Sequence, residues 1–198
     1  ELLVERVRKI ICPDKLTTER WVEIMKEVHK QGGASTATIM FGHVEEPEEI
    51  GEHFEVIRSI QKKTNGFTEF VPLPFIPYDN ALGRRFQITR MIPNEEVFKV
   101  YAVSRIYFRG TIPNIQSSWP KIGLEGAGEA LRVGCNDVGG TLMEEKISNM
   151  SGSEWGDCAS VEELREIIVK NGRTPVERTT LYEKRYSSDS ITAPVSPS

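Results

Sequence analysis

Along this chain, segments whose apolar residues have the spacing of a strand alternate with segments whose apolar residues have the spacing of a helix. The clearest strand lies within residues 36–45, where three apolar side chains point one way and Thr38 and Met40 point the other. Little in this run is polar, and a strand that is apolar on both faces is typical of a parallel sheet covered by helices. The run ends abruptly at Gly42, after which His43 and Glu45 follow.

Helical patterns separate this strand from three others. Prolines at positions 72, 74 and 77 predict a rigid loop after the second strand, since proline cannot donate to a sheet ladder. An irregular loop is predicted over residues 78–92, and the Ser/Pro-rich end, residues 183–198, is predicted to be a disordered tail. The further predicted strands cover 67–71, 112–116 and 134–138. The first predicted helix starts at Thr17 or Thr18, and the later helices are predicted at about 47–64, 94–109, 124–133, 143–150 and 161–170.

The alternation of strands and helices predicts an α/β fold. Four right-handed βα units give a parallel sheet, which is either half of an eight-stranded barrel or an open four-stranded sheet. In both folds, ligands bind beyond the carboxyl ends of the strands. We therefore expect the functional site at that rim.

Composition narrows the function classes. The net charge of −4 with no block of Lys or Arg argues against a nucleic-acid-binding surface. No apolar run approaches the roughly 20 residues that cross a bilayer, and the first residues lack signal-peptide features. The chain does not begin with Met, so we expect a fragment. Three widely separated cysteines predict reduced thiols in a cytoplasmic protein rather than a disulfide framework.

Polar residues cluster where each predicted strand ends. Gly42, His43 and Glu45 place an imidazole and a carboxylate beside a close backbone approach, although a glycine turn that opens a helix explains Gly42 and Glu45 equally well. Glu69 is a carboxylate inside an apolar strand: facing the interior it indicates function, and facing outward it indicates an ion pair. The remaining candidates follow the third and fourth strands, and they are Gln116, Ser118, Asn136, Asp137, Gly139, Gly140 and Thr141.

Five stretches, in this order, resemble the FO synthase family. They are residues 36–45, 66–75, 116–119, 136–145 and 178–182, and the resemblance covers about residues 1–182. They are most similar to the tyrosine-using radical S-adenosylmethionine (SAM) subunit, or to the matching half of the fused enzyme. The resemblance implies synthesis of the deazaflavin chromophore FO, in which a 5′-deoxyadenosyl radical abstracts hydrogen from tyrosine and a tyrosine fragment is transferred to 5-amino-6-(D-ribitylamino)uracil.

The resemblance also implies how the chain is divided. The family's CxxxCxxC motif, which holds a 4Fe-4S cluster, is absent from this sequence. Residues 1–182 are therefore expected to form strands five to eight of a radical SAM TIM-type barrel with a C-terminal helical extension. This chain alone is expected to be inactive and to need the cluster-binding half, and the second radical SAM subunit or domain is its expected partner.

The same resemblance assigns ligands to residues. It implies SAM contacts at Thr38, Met40, Gly42, His43 and Glu45, although Thr38 replaces the first glycine of the family's fifth-strand motif. It implies substrate contacts at the polar residues of the later strands, from Glu69 to Thr141. Two alternatives stay open: a radical SAM enzyme of the futalosine route to menaquinone, and a non-catalytic half-barrel that binds a ligand or partner.

Overall fold

The computed structural model describes residues 2–141 and 158–185. The predicted helix at 143–150 and residues 186–198 of the predicted tail lie outside this part of the chain, whereas residues 183–185 hydrogen-bond back to residues 177 and 179. In chain order the elements are α1 (Glu5–Ile11), α2 (Thr18–Lys30), β1 (Ser35–Phe41), α3 (Pro47–Thr64), β2 (Phe67–Pro74), α4 (Ala81–Phe86), α5 (Asn94–Tyr107), β3 (Gln116–Ser117), α6 (Trp119–Val133), β4 (Asp137–Val138) and α7 (Val161–Lys170).

The strands pair in parallel, as the alternating pattern predicts. β1 pairs with β2 over its whole length, and β3 pairs with β4 over two residues. An isolated parallel bridge between Phe70 and Ile115 connects the two ladders. The α/β class is therefore confirmed, while the strands of the described part do not close into a barrel.

The prediction of a rigid loop at residues 72–77 is wrong at its start, because β2 continues through Pro74. Alternate residues of a strand direct their N–H groups to opposite neighbours. The N–H of Phe70 donates to the Asn114 carbonyl on the side away from β1. Pro72 and Pro74 lie two and four residues after Phe70, so their backbone nitrogens face this same side. The missing proline donors therefore fall where β3 does not pair with β2, so both prolines fit within the strand.

The third and fourth strands are shorter than predicted because two asparagines replace part of their ladders. The Asn136 Oδ1 atom accepts the N–H of Ile115 at 2.9 Å, and Asn114 Nδ2 donates to the Thr68 carbonyl at 2.9 Å. Backbone groups that would extend the sheet are thus satisfied by side chains. Two further differences are a short helix, α4, within the predicted loop, and an earlier start of α6, which has a non-helical kink at Gly123.

Local end signals explain where the helices begin and end. Thr17 caps α2 by accepting the N–H of Arg20, and Ser160 forms the predicted capping box with Glu163 at α7. Asn65 ends α3 in the left-handed conformation at a φ of 51°. These predicted boundaries are confirmed.

The sheet has two different faces. Helices cover the face that carries Ala37, Ile39, Phe70 and Ile115, all of which are fully buried. Aromatic rings of Phe54 and Phe70 pack there with centroids 5.3 Å apart. We call the opposite side the open face, and it carries Thr36, Thr38, Met40, Glu69, Gln116 and Asp137. None of the helices within the described residues is both long enough and apolar enough to span a membrane.

Candidate functional site

The turn after β1 is stabilised by the side chain of Glu45. One carboxylate oxygen accepts the N–H of Gly42, and the other accepts the N–H of His43 at 3.0 Å. Gly42 has a φ of +85°, a conformation that side-chain-bearing residues rarely adopt. Burial raises the pKa of Glu45, but its hydrogen bonds and the charge of the nearby His43 lower the pKa by more than burial raises it. The pKa of Glu45 therefore lies below its usual value.

The His43 imidazole is fully buried beside this turn. Its Nδ1 atom lies 2.9 Å from the carboxylate of Glu45, and its Nε2 atom lies 3.0 Å from the carbonyl oxygen of Met40. Both ring nitrogens and both carboxylate oxygens therefore have partners inside the turn. The polar groups of residues 42–45 shape the backbone at the end of β1.

Two of the predicted SAM-contacting residues, Thr38 and Met40, have more exposed side chains than His43 and Glu45 in the turn. Thr38 and Met40 are half-buried on the open face, where a ligand can reach their side chains. SAM contacts at these two residues stay a prediction. SAM bound beside a reduced iron–sulfur cluster would accept one electron from it, and cleavage of the C5′–S bond would give methionine and a 5′-deoxyadenosyl radical.

The chain's own residues do not fit the cluster. Cys12 is half-buried, Cys135 is buried and Cys158 is exposed, and all three are free thiols. Burial raises the pKa of Cys135, which disfavours the thiolate that iron binds. Within residues 2–141 and 158–185, His, Cys, Asp and Glu side chains form no group of three that could hold a metal ion.

Glu69 lies on the open face, near the amino end of β2 rather than at a strand end. The expectation of a strand-end position is therefore wrong for this residue, since β2 extends five residues beyond it. Glu69 is 8% exposed, and its two oxygens accept hydrogen bonds from the hydroxyls of Thr36 and Thr68. Among the described residues it has no cationic ion-pair partner.

Asp137 is the most heavily hydrogen-bonded of the predicted site residues. Its Oδ1 atom accepts the Nε–H of Arg178 at 2.8 Å. Its Oδ2 atom accepts hydrogen bonds from Gln116 at 2.7 Å, from Tyr182 at 2.7 Å and from Arg178. Bidentate arginine–carboxylate pairs are among the stronger polar contacts in proteins. Asp137 therefore binds groups of its own chain.

Arg178 and Tyr182 belong to the C-terminal strap, residues 173–185. The guanidinium of Arg178 lies 3.9 Å from the ring centroid of Tyr182. The hydrogen bond to Asp137 raises the pKa of Arg178, and burial followed by the charge of Asp137 raises the pKa of Tyr182. Sequence patterns did not assign these two residues to the site, although both lie in the stretch 178–182 that resembles FO synthase.

The other candidates near β3 and β4 make contacts within the fold. Asn136 accepts a hydrogen bond from Arg105 and joins β3 to β4, and Ser118 is the N-terminal cap residue of α6. The N–H of Gly139 donates to the Ser117 carbonyl at 2.9 Å, so this amide is not free for an anion. Gly140 and Thr141 are exposed.

A half-open cavity of about 1320 Å³ lies between the open face and the C-terminal strap. Glu69, Gln116 and Asp137 line one side of it, and residues 173–178 line the other. The structure thus brings seven of the eight predicted substrate residues to one cavity, all except Ser118: Glu69, Gln116, Asn136, Asp137, Gly139, Gly140 and Thr141. The residues of the turn at 42–45 do not line it.

These features define an α/β protein with parallel strands and a polar row that faces a cavity. The chain belongs to the family described as the CofH/MqnC C-terminal region, which matches its residues 64–191. The resemblance to the FO synthase family that the sequence motifs indicate is therefore confirmed.

The chain is also similar to curated proteins that are named 5-amino-6-(D-ribitylamino)uracil–L-tyrosine 4-hydroxyphenyl transferase. It is 51% identical over 92% of its length to one from Methanosarcina barkeri, of which it covers 49%. It is 48% identical over 92% of its length to one from Methanocaldococcus jannaschii, of which it covers 51%. The chain thus spans about half the length of the relatives it matches.

Proposed function

We propose that this chain is the C-terminal half of a radical SAM transferase that joins a tyrosine-derived fragment to 5-amino-6-(D-ribitylamino)uracil during FO synthesis. The observation that carries the proposal is the similarity to transferases whose names state this reaction, which extends over 92% of the chain. The open face supports it, because a row of polar side chains there faces a cavity large enough for such substrates.

The proposal includes the position of the chain in a barrel. β1 to β4 would be strands five to eight of a TIM-type barrel, and the missing half would supply the first four strands. Parallel pairing throughout and the helices between the strands support this arrangement. The outer edge of β1, which has no partner within the described residues, would then pair with strand four.

We assign the ligands of the complete enzyme by position. Thr38 and Met40 would contact SAM, while Gly42, His43 and Glu45 would hold the turn beside it. Glu69, Gln116, Asn136, Asp137 and residues 139–141 would line the substrate cavity, and Ser118 would support it at the start of α6. The 4Fe-4S cluster would be bound by thiolates of the missing half, and the second radical SAM subunit or domain would complete FO synthesis.

The proposal also places the enzyme in the cytoplasm. An iron–sulfur cluster and unpaired cysteines both suit a reducing compartment. Cys158 is exposed and free, which fits such an environment.

The test is reconstitution of the full-length protein. We would load it anaerobically with iron and sulfide, add SAM, tyrosine, the diaminouracil and the second radical SAM subunit, and measure 5′-deoxyadenosine and FO fluorescence. Formation of both products, each dependent on tyrosine and the diaminouracil, is the expected result.

Two results would contradict the proposal. Formation of 5′-deoxyadenosine only with a substrate of the futalosine route would assign the chain to the menaquinone enzymes. Absence of 5′-deoxyadenosine from a protein with a full cluster would favour a non-catalytic binding module.

A further inference from the structure

The orientation of the Gln116 amide is determined by its neighbour. Gln116 Nε2 lies 2.7 Å from the Oδ2 atom of Asp137. A carboxylate paired with arginine accepts hydrogen bonds and has none to donate. Only the amide nitrogen of Gln116 can therefore face Asp137, and the amide oxygen, Oε1, must point away from it.

The Gln116 oxygen is left as an acceptor beside the cavity. Within residues 2–141 and 158–185, no donor forms a hydrogen bond to Gln116 Oε1. A Cβ atom added at Gly139 would lie 3.8 Å from this oxygen, an ordinary van der Waals distance, so the oxygen lies beside Gly139, which also lines the cavity. Gln116 and Glu69 both line the cavity. Glu69 accepts hydrogen bonds from two hydroxyls and forms no ion pair within the described residues, although its charge helps to raise the pKa of Arg178.

Arg178 and Tyr182 maintain this arrangement from the strap. Both donate to Asp137, whose side chain is only 11% exposed. They hold the carboxylate in place and balance its charge, which would be expensive to bury alone. The chain of contacts runs from Arg178 through Asp137 to Gln116.

We propose that Arg178 is a positioning residue that acts through Asp137 to turn the Gln116 oxygen toward the cavity. With Glu69, this oxygen makes the cavity a site for a ligand rich in N–H donors. The inference rests on the proposed function, whose substrates offer two sources of such donors: the ammonium group of tyrosine and the amino groups of the diaminouracil. Asp137 is then a positioning residue and does not contact the substrate itself.

The experiment exchanges the amide and the carboxylate in the full-length, cluster-loaded protein. Asp137→Asn lets the new amide donate to Gln116, so the Gln116 amide can reverse and present its NH₂ to the ligand. The double variant Asp137→Asn/Gln116→Glu restores a cavity-facing oxygen, because a glutamate can accept from Asn with one oxygen and face the cavity with the other. Isothermal titration with tyrosine and with the diaminouracil, in separate runs, measures the dissociation constants.

We expect Asp137→Asn to raise the dissociation constant of one of these ligands at least tenfold, and the double variant to restore it to within about threefold. A purely structural role for Asp137 does not produce this rescue. Gln116→Met, which removes the oxygen but leaves Asp137 paired with Arg178, should weaken the same ligand equally and tests the idea if Asp137→Asn fails to fold. Lys170→Gln, which breaks an exposed pair with Glu125, is the control and should bind like the wild type.

Wild-type affinity in Gln116→Met would overturn the inference, as would a double variant no better than Asp137→Asn. Failure of the proposed function is a separate result, because it shows as absence of FO from the wild-type protein. A wild-type protein that makes FO, with variants that bind both ligands normally, would refute only the positioning role.

Discussion

Replacing Glu45 by glutamine should loosen the turn at the end of β1 while leaving its shape unchanged. Glutamine has one acceptor oxygen where Glu45 uses two, so its NH₂ group must face the N–H of Gly42 or of His43. The change removes a hydrogen bond to a charged acceptor, which contributes about 1.5–3 kcal/mol, and leaves a donor without a partner. Since Glu45 is only 6% exposed, water replaces little of this loss.

We therefore expect Glu45→Gln to destabilise the turn by about 2–4 kcal/mol. Hydrogen exchange in the full-length protein measures this locally, because amides exchange when their segment opens. At about 1.4 kcal/mol per tenfold change, the amides of Gly42 and His43 should lose at least roughly thirtyfold in protection. Glu48→Gln is the matched control, because Glu48 is exposed in the first turn of α3 and the change removes the same charge.

The same carboxylate predicts a pH dependence. The pKa of Glu45 is lowered in the folded protein, so the unfolded chain takes up its proton first as the pH falls. The contribution of Glu45 to stability is therefore fully present above the ordinary value of 4.5 and is lost as the pH falls through the lower, folded value. The variant should lack this loss. Equal protection of the two amides in Glu45→Gln and Glu48→Gln would refute the assignment of the turn to this side chain.

Three further predictions concern the fold and the isolated chain. Gln61→Leu should destabilise the full-length protein by about 2–4 kcal/mol in urea unfolding, because Gln61 bonds both backbone groups of Phe67 and the carbonyl of Thr111; an unchanged midpoint would contradict this. Tyr101→Phe should cost about 1 kcal/mol, since it removes the hydroxyl that donates to Pro72 at 3.1 Å; a loss no larger than that of an exposed substitution would contradict it. The isolated chain should form no 5′-deoxyadenosine from SAM, because it lacks thiolates at cluster spacing, and detection of that product would overturn the expectation.

Helix boundaries were predictable because their signals are local. Thr17, Asn65 and the pair Ser160 and Glu163 each act within a few residues of the helix end that they define. Strand boundaries depended on contacts distant in sequence. Asn136 takes over the ladder contact of Ile115 from 21 residues away, and no local pattern indicates this substitution.

The candidate site was predictable in its strands but not in its partners. Gln116 and Asp137 were candidates because they follow strand ends, and the face of Glu69 was left open; parallel pairing brings all three to one side of the sheet. The partner of Asp137 is Arg178, 41 residues later, on a strap with no regular periodicity. The sequence singled out residues 178–182 only through their resemblance to a known family, and that resemblance did not predict the contact between Arg178 and Asp137.

The two open-face carboxylates differ in what compensates their charge, and this difference decides their roles. Asp137 has an arginine, a phenol and an amide as partners, whereas Glu69 has two hydroxyls. A glutamine amide without a charged neighbour can reverse easily, since its two ends are nearly equal in shape. Beside a carboxylate, the correct orientation gains a charged hydrogen bond of about 1.5–3 kcal/mol, which is roughly a ten- to hundredfold preference.

That preference depends on where the carboxylate oxygens lie. Arg178 fixes the orientation of the Asp137 carboxylate by pairing with it through two nitrogens, so that Oδ2 stays opposite the Gln116 amide nitrogen. An ion pair on the strap can thus determine whether the cavity offers an acceptor or a donor, and Arg178→Gln should weaken binding of the same N–H-rich ligand that Asp137→Asn weakens. Parallel losses in the two variants would support one linked unit, and a loss in only one of them would separate Arg178 from Gln116.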